Sequence, residues 1–166
     1  MPKLKLMLQE KRQVLHDHPG KARVEVTADS SLVRGFESRV KVRDFEIVVD
    51  QPAAFGGADR GPRPSEYVLA ALAACHEVTY RLYADALDIP LDDVSVSVTG
   101  VSDARGFLSP GEDIRPGFQE IRGVIRIKSG ASHEQIEELR KMVNDHCPVL
   151  DDLRTPIAVH MELERE

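Results

Sequence analysis

Cysteine is scarce in this chain, with two residues, Cys75 and Cys147, among 166. Two thiols without a secretory setting read as reactive or buried groups rather than a structural staple. An excess of basic charge is also lacking. Lys and Arg total 22 against 28 Asp and Glu, a net charge of −6, which argues against a nucleic-acid groove because such a groove needs a basic face. Long apolar runs are missing too. Lys3, Lys5 and the run Gln9-Glu10-Lys11-Arg12 interrupt the start of the chain, so neither a signal peptide nor a membrane span is expected there. Nothing further along is long and apolar enough to cross a bilayer. The expectation is a soluble, cytoplasmic protein with no membrane and no nucleic-acid partner. No GxGxxG or P-loop pattern suggests phosphate binding, and no internal repeat or low-complexity segment occurs.

What is present is enough for one domain with a real core. The chain is organised around Pro64-Ser65-Glu66-Tyr67-Val68-Leu69-Ala70-Ala71-Leu72-Ala73-Ala74-Cys75. This stretch is rich in Ala and Leu and free of Gly, and it follows the turn-forming Gly61-Pro62-Arg63. Proline is tolerated in a first helical turn, and Ser65 and Glu66 suit a helix start. The helical pattern runs on through Val78, Leu82 and Ala86, giving about six turns. So apolar a helix is expected to be buried, and its small residues at 70, 71, 73 and 74 would let another backbone approach closely.

The rest of the chain surrounds this helix with strands. Leu4, Leu8, Lys11 and Leu15 recur at helical spacing, which predicts an amphipathic helix over residues 3–16, closed by His18-Pro19-Gly20. From Lys21 the period becomes two. Val24 and Val26 alternate with charged residues until Ser30-Ser31 and Arg34-Gly35 break the run. Val40 and Val42 alternate next, and after a phase slip at Arg43-Asp44 so do Phe45, Ile47 and Val49. A meander of three strands is favoured over two strands with a bulge. Residues 55–61 read as a loop whose glycines serve tight turns. Val94, Val96 and Val98 mark a fourth strand, residues 102–117 a long irregular segment, and Ile121, Ile125 and Ile127 a fifth strand over 119–128. Ser132-His133-Glu134-Gln135 has the form of a capping box, opening a helix with Ile136, Leu139 and Val143 inward and Pro148 at its end. Ile157, Val159, Met161 and Leu163 alternate with polar residues as a final half-buried strand. The order helix–βββ–helix–ββ–helix–β describes an α+β domain.

Cys75 is the first candidate for chemistry. Its plain alternative is an inert core thiol, since free cysteine packs as a small hydrophobe. It lies about ten residues into its helix, beyond the strong first turn of the dipole. A reactive thiolate would therefore need a cation brought from elsewhere. Two Cys-His neighbours, Cys75-His76 and His146-Cys147, raise the question of a metal. Adjacent helical residues diverge by about 100° and neither pair has C-x-x-C spacing, so the histidines are expected at surface or capping positions and no metal is expected.

Taken in order, Gly56-Gly57, Pro64-Ser65-Glu66, Ala73-Ala74-Cys75 and His146-Cys147-Pro148 resemble the osmotically inducible protein C (OsmC) and organic hydroperoxide resistance family. The resemblance spans residues 21–165, leaving residues 1–20 as an added helical arm beside a single domain of residues 21–166. The cysteines stand 72 positions apart, close to the family spacing. The resemblance implies antiparallel sheets around the long central helix, an intertwined homodimer with its sites at the subunit interface, and a thiol-dependent peroxidase needing no cofactor. By position, Cys75 would attack an organic hydroperoxide and Cys147 would resolve the resulting sulfenic acid as a disulfide, which an external thiol then reduces. Arg34 would polarise the thiolate, with Arg39 and Arg43 as rivals. Glu66 would hold that arginine, yet it stands one residue later than the family's glutamate, and a continuous helix puts it opposite Cys75. A helix-start carboxylate is the competing role for Glu66. His76 also departs from the hydroperoxide enzymes. A non-peroxidatic binding or redox-sensing protein on the same fold is the alternative function.

Overall fold

The computed structural model of the chain describes residues 2–109, 111 and 113–165. Helix α1 (Pro2–Asp17) leads into a meander of β1 (Ala28–Arg34), β2 (Glu37–Val42) and β3 (Phe45–Val49). Helix α2 (Pro64–Ala86) follows, then β4 (Asp93–Val101), the single turn α3 (Arg105–Leu108), β5 (Glu120–Lys128), α4 (His133–His146) and α5 (Pro148–Arg154). The strands form two antiparallel sheets, one ordered β1-β2-β3 and one pairing β4 with β5. The fold is mixed α+β with antiparallel sheets, as the element pattern implied.

Local chemistry explains where the elements begin and turn. Pro64 occupies the first turn of α2, and the Arg63 backbone N–H donates to the Glu66 carboxylate at 3.0 Å. The Ser132 hydroxyl accepts the Gln135 N–H while the Gln135 side chain accepts the Ser132 N–H, the reciprocal pair of a capping box. The phase slip between β2 and β3 is a two-residue hairpin turn at Arg43-Asp44, where Arg43 takes a left-handed φ of 55°. Loop 51–61 folds back on β3 so closely that side chains are excluded. A Cβ at Gly57 would lie 1.8 Å from the Gln51 carbonyl oxygen, and one at Gly61 2.4 Å from that of Val48.

The core lies between the C-terminal half of α2, the β4–β5 sheet and α4. Tyr80, Ala84, Ile89, Leu91, Leu139 and Val143 are enclosed there, with Val94, Ile125, Ile127 and Ile136 packed around them. Along β4 and β5 the inward residues are the expected ones, because a period of two turns alternate side chains to one face. Register places Val96 opposite Ile125 and Val94 opposite Ile127. Helix α1 rests on α2 with Leu4 and Leu8 half-buried, Lys5 forms an ion pair with Asp88 just past the end of α2, and Leu15 remains exposed.

Three expectations need correction. The meander exists, but its first strand begins at Ala28. Ser30 and Ser31 lie inside it, paired with Val40 and Arg39, and Val24 and Val26 precede it, exposed. Both faces of β1 are exposed, so no apolar alternation marks it. Second, residues 157–163 form no strand. Met161 and Leu163 are 90% and 95% exposed, and no described residue pairs with the run. Its alternation is that of a half-buried strand, but such a strand needs a sheet edge and a covering layer. Third, α2 is buried on one face only. Val68 and Val78 are exposed, as are Ala70, Ala71 and Ala74, leaving an apolar stripe uncovered beside Cys75.

Candidate active site

Cys75 and Cys147 reach one point from two elements. Cys75 projects from the middle of α2 and is half-buried. Cys147 occupies the junction where α4 ends and α5 begins. Its N–H still donates to the Val143 carbonyl of α4 at 2.9 Å, and its carbonyl already accepts the Asp151 N–H of α5 at 3.0 Å. Pro148, directly after it, cannot continue α4 but suits the first turn of a new helix. The corner therefore fixes Cys147 against α2, 1% exposed. The two Sγ atoms are 3.3 Å apart, with the Cys147 thiol placed to donate to the Cys75 sulfur. A disulfide has a bond of about 2.05 Å, so a small side-chain movement joins them.

The surroundings treat the sulfurs unequally. Burial, above all, and then the neighbouring Cys75 sulfur push the Cys147 thiol up from its ordinary value. Cys147 is thus held as a protonated donor, its thiol directed at the Cys75 sulfur. Thr79, also buried, donates its hydroxyl to the Cys75 carbonyl at 2.7 Å. Such back-bonding one turn away satisfies the buried hydroxyl.

His76 is the residue that sequence reasoning misplaced. It is 8% exposed, not a surface group. Its Nδ1 lies 3.1 Å from the Cys147 sulfur and its ring meets Tyr80 edge-on at 6.3 Å. The divergence of adjacent helical side chains holds, but a third residue seated in the notch between them touches both. Burial, and secondarily the charge of Arg154, hold His76 below the ordinary histidine value. Beyond the ring lies a cavity of about 460 Å³ lined by Leu72, Val96, Val98, Ile125, Arg115 and Arg154 among others. His146 faces elsewhere, with Nδ1 2.9 Å from the Met142 carbonyl and its ring against Tyr83.

The other expected site residues stand apart from the sulfurs within one chain. Glu66 accepts the Arg63 N–H and lies 3.3 Å from the Arg63 Nε. Arg39 pairs with Glu37 and Glu46 at 2.9 and 2.8 Å, and the Arg43 guanidinium lies 5.2 Å from the Phe45 ring centroid. Arg34, at the end of β1, has no ion pair among the described residues. No group of three or more His, Cys, Asp or Glu among the described residues is arranged to hold a metal ion. Chemically, the site has two reduced sulfurs in contact and a neutral imidazole on one of them. It is equipped for two-electron oxidation of a thiol pair.

The family described as OsmC-like protein matches residues 56–162. An OsmC-like protein from Mycoplasma pneumoniae shares 25% identity over 80% of this chain and 89% of its own, with a TM-score of 0.69. An organic hydroperoxide resistance protein from Legionella pneumophila superposes over 79% of this chain and 90% of its own, with a TM-score of 0.61 at 23% identity. One from Elizabethkingia anophelis covers 81% of this chain and 91% of its own, at 21% identity and a TM-score of 0.61. No curated protein matches the chain by sequence.

Proposed function

The chain belongs to the OsmC-like protein family, and from that premise we propose that it is a thiol-dependent peroxidase that reduces organic hydroperoxides. The observation that carries this reading is the 3.3 Å contact between the Cys75 and Cys147 sulfurs. Cys75 attacks the terminal peroxide oxygen, the O–O bond breaks, an alcohol leaves, and Cys75 becomes a sulfenic acid. Cys147 then displaces the oxygen as water and forms the disulfide. An external thiol returns both cysteines to the reduced state, in a cytoplasmic setting where such thiols are available.

A cation near Cys75 completes the site, and we assign it to Arg34 of a second copy, with Glu66 as its anchor. Arg39 and Arg43 already have partners in the meander. A homodimer suits the uncovered features of the single chain. The exposed meander, the apolar stripe of α2 beside Cys75 and the alternating run at 157–163 each call for a partner surface. In this reading residues 21–166 carry the activity and residues 1–20 are an arm packed on α2.

Peroxide consumption by the reduced protein tests the reading. Cys75→Ser abolishes it, whereas Cys147→Ser leaves Cys75 to accumulate as sulfenic acid and then sulfinic acid under excess oxidant. Undiminished consumption by Cys75→Ser rules the reading out. In the alternative, the protein binds a small apolar or electrophilic molecule with Cys75 as its contact. That alternative draws on the absence of a cation from the hydrogen bonds and ion pairs of Cys75 among the described residues.

A further inference from the structure

The peroxidase reading leaves one buried group touching a reacting sulfur without a task. We propose that His76 is a catalytic base for the second half of the cycle, taking the Cys147 thiol proton through Nδ1 as Cys147 attacks Cys75. For its physiological step this rests on the peroxidase reading, and for its chemistry on the contacts alone.

The Cys147 thiol has one proton, and within its reach lie the Cys75 sulfur at 3.3 Å, His76 Nδ1 at 3.1 Å and the Thr79 hydroxyl. While Cys75 is a thiolate, its negative charge draws that proton. Once Cys75 carries oxygen its sulfur is neutral and electrophilic, and it no longer competes. Thr79 cannot take over, because a hydroxyl is no base and its proton already goes to the Cys75 carbonyl. Bulk water has little access to a residue 1% exposed. Burial also pushes the Cys147 thiol up, so it does not ionise unaided at neutral pH. The imidazole is the remaining acceptor.

In the step, the S–H proton of Cys147 passes to Nδ1 and the electron pair it leaves forms the S–S bond. The S–O bond of Cys75 breaks, and the departing hydroxide takes the proton back from the imidazolium and leaves as water. Thiol and sulfenic acid become disulfide and water, with His76 unchanged. The titratable and charged groups around the ring are Cys75 and Tyr80 on α2, Cys147 at the α4–α5 corner, Arg154 at the end of α5, and Arg115 and Glu120 across the cavity. Burial and Arg154 keep the imidazole neutral through the physiological range. Nδ1 is then open when the proton sits on Nε2.

The test removes peroxide from the question. In 2,2′-dithiodipyridine, Cys75 forms a mixed disulfide and releases one pyridinethione. Cys147 then attacks the same Cys75 sulfur and releases a second. The rate of the second release reports the His76-assisted attack. In the wild-type protein it is flat with pH across the neutral range and falls only on the acid side of the ordinary histidine value, as His76 protonates. His76→Asn, which keeps a polar atom where Nδ1 stands, slows it about 10²-fold and makes it rise about tenfold per pH unit. A variant rate within roughly threefold of wild type overturns the proposal. So does a wild-type rate that itself climbs tenfold per unit through neutral pH, a measurement that stands even if the variant fails to fold. If the release keeps its His76 dependence while peroxide leaves both thiols reduced, the peroxidase reading falls and His76 remains the base for Cys147.

Discussion

Leu139→Ala probes the packing that holds Cys147 against α2. Leu139 is fully enclosed by Tyr80, Ala84, Ile89, Leu91 and Val143, and lies two turns before Cys147 on the same helix. Each buried methylene is worth about 0.8 kcal/mol, so truncation removes about 2 kcal/mol of transfer free energy. The void left beside the Tyr80 ring collapses only partly, which brings the total to about 3–4 kcal/mol. For a chain of this length that lowers Tm by roughly 6–16 °C. Urea unfolding at fixed protein concentration measures it as a shift in midpoint with an unchanged slope. A loss under about 1 kcal/mol would mean that α4 is not anchored on α2 as described. The same variant should slow closure of the Cys75–Cys147 disulfide, because the corner carrying Cys147 is seated by this helix.

Two further perturbations test other parts of the account. Burial works to raise the Asp50 carboxyl, but the N–H groups of Gln51, Arg60 and Ala58 outweigh it and hold the group below its ordinary 3.8. With the folded value below the unfolded one, its stabilisation is full above that ordinary value and is lost as pH falls through the lower one. Asp50→Asn should therefore flatten the fall of the urea midpoint between about pH 5 and pH 2, and an unchanged profile contradicts the assignment. Val78, 68% exposed on the stripe beside Cys75, tests the homodimer. Wild type should sediment as a dimer at micromolar concentration and Val78→Glu as a monomer, whereas a monomeric wild type refutes the interface.

How much of this was legible in the sequence depended on whether a feature is made by neighbours in the chain. The start of α2 at Pro64, the capping box at Ser132 and the hairpin at Arg43-Asp44 rest on contacts within a few residues, and they read correctly. The alternation of Val94, Val96 and Val98 against Ile121, Ile125 and Ile127 likewise identified the sheet that covers α2. β1 begins later than the Val24/Val26 alternation suggests, because a strand exposed on both faces carries no apolar period and Ser30-Ser31 looks like punctuation. The run at 157–163 shows the reverse, a clear period with no edge to pair with in one chain. The cysteine pair came from a family resemblance and not from periodicity, since nothing local to Cys75 announces a residue 72 positions away. His76 was hidden for the same reason. Its burial and its contact are set by the α4–α5 corner, and a helical wheel of α2 alone cannot register a side chain arriving from another element.

The central claim is that Cys75 and Cys147 form one redox pair, and intact-protein mass spectrometry after a single equivalent of cumene hydroperoxide tests it most directly. The account predicts loss of two hydrogens, an intramolecular Cys75–Cys147 disulfide by peptide mapping, and recovery of both thiols on adding a dithiol. Two thiols that remain free to alkylate after the peroxide has been added would contradict it.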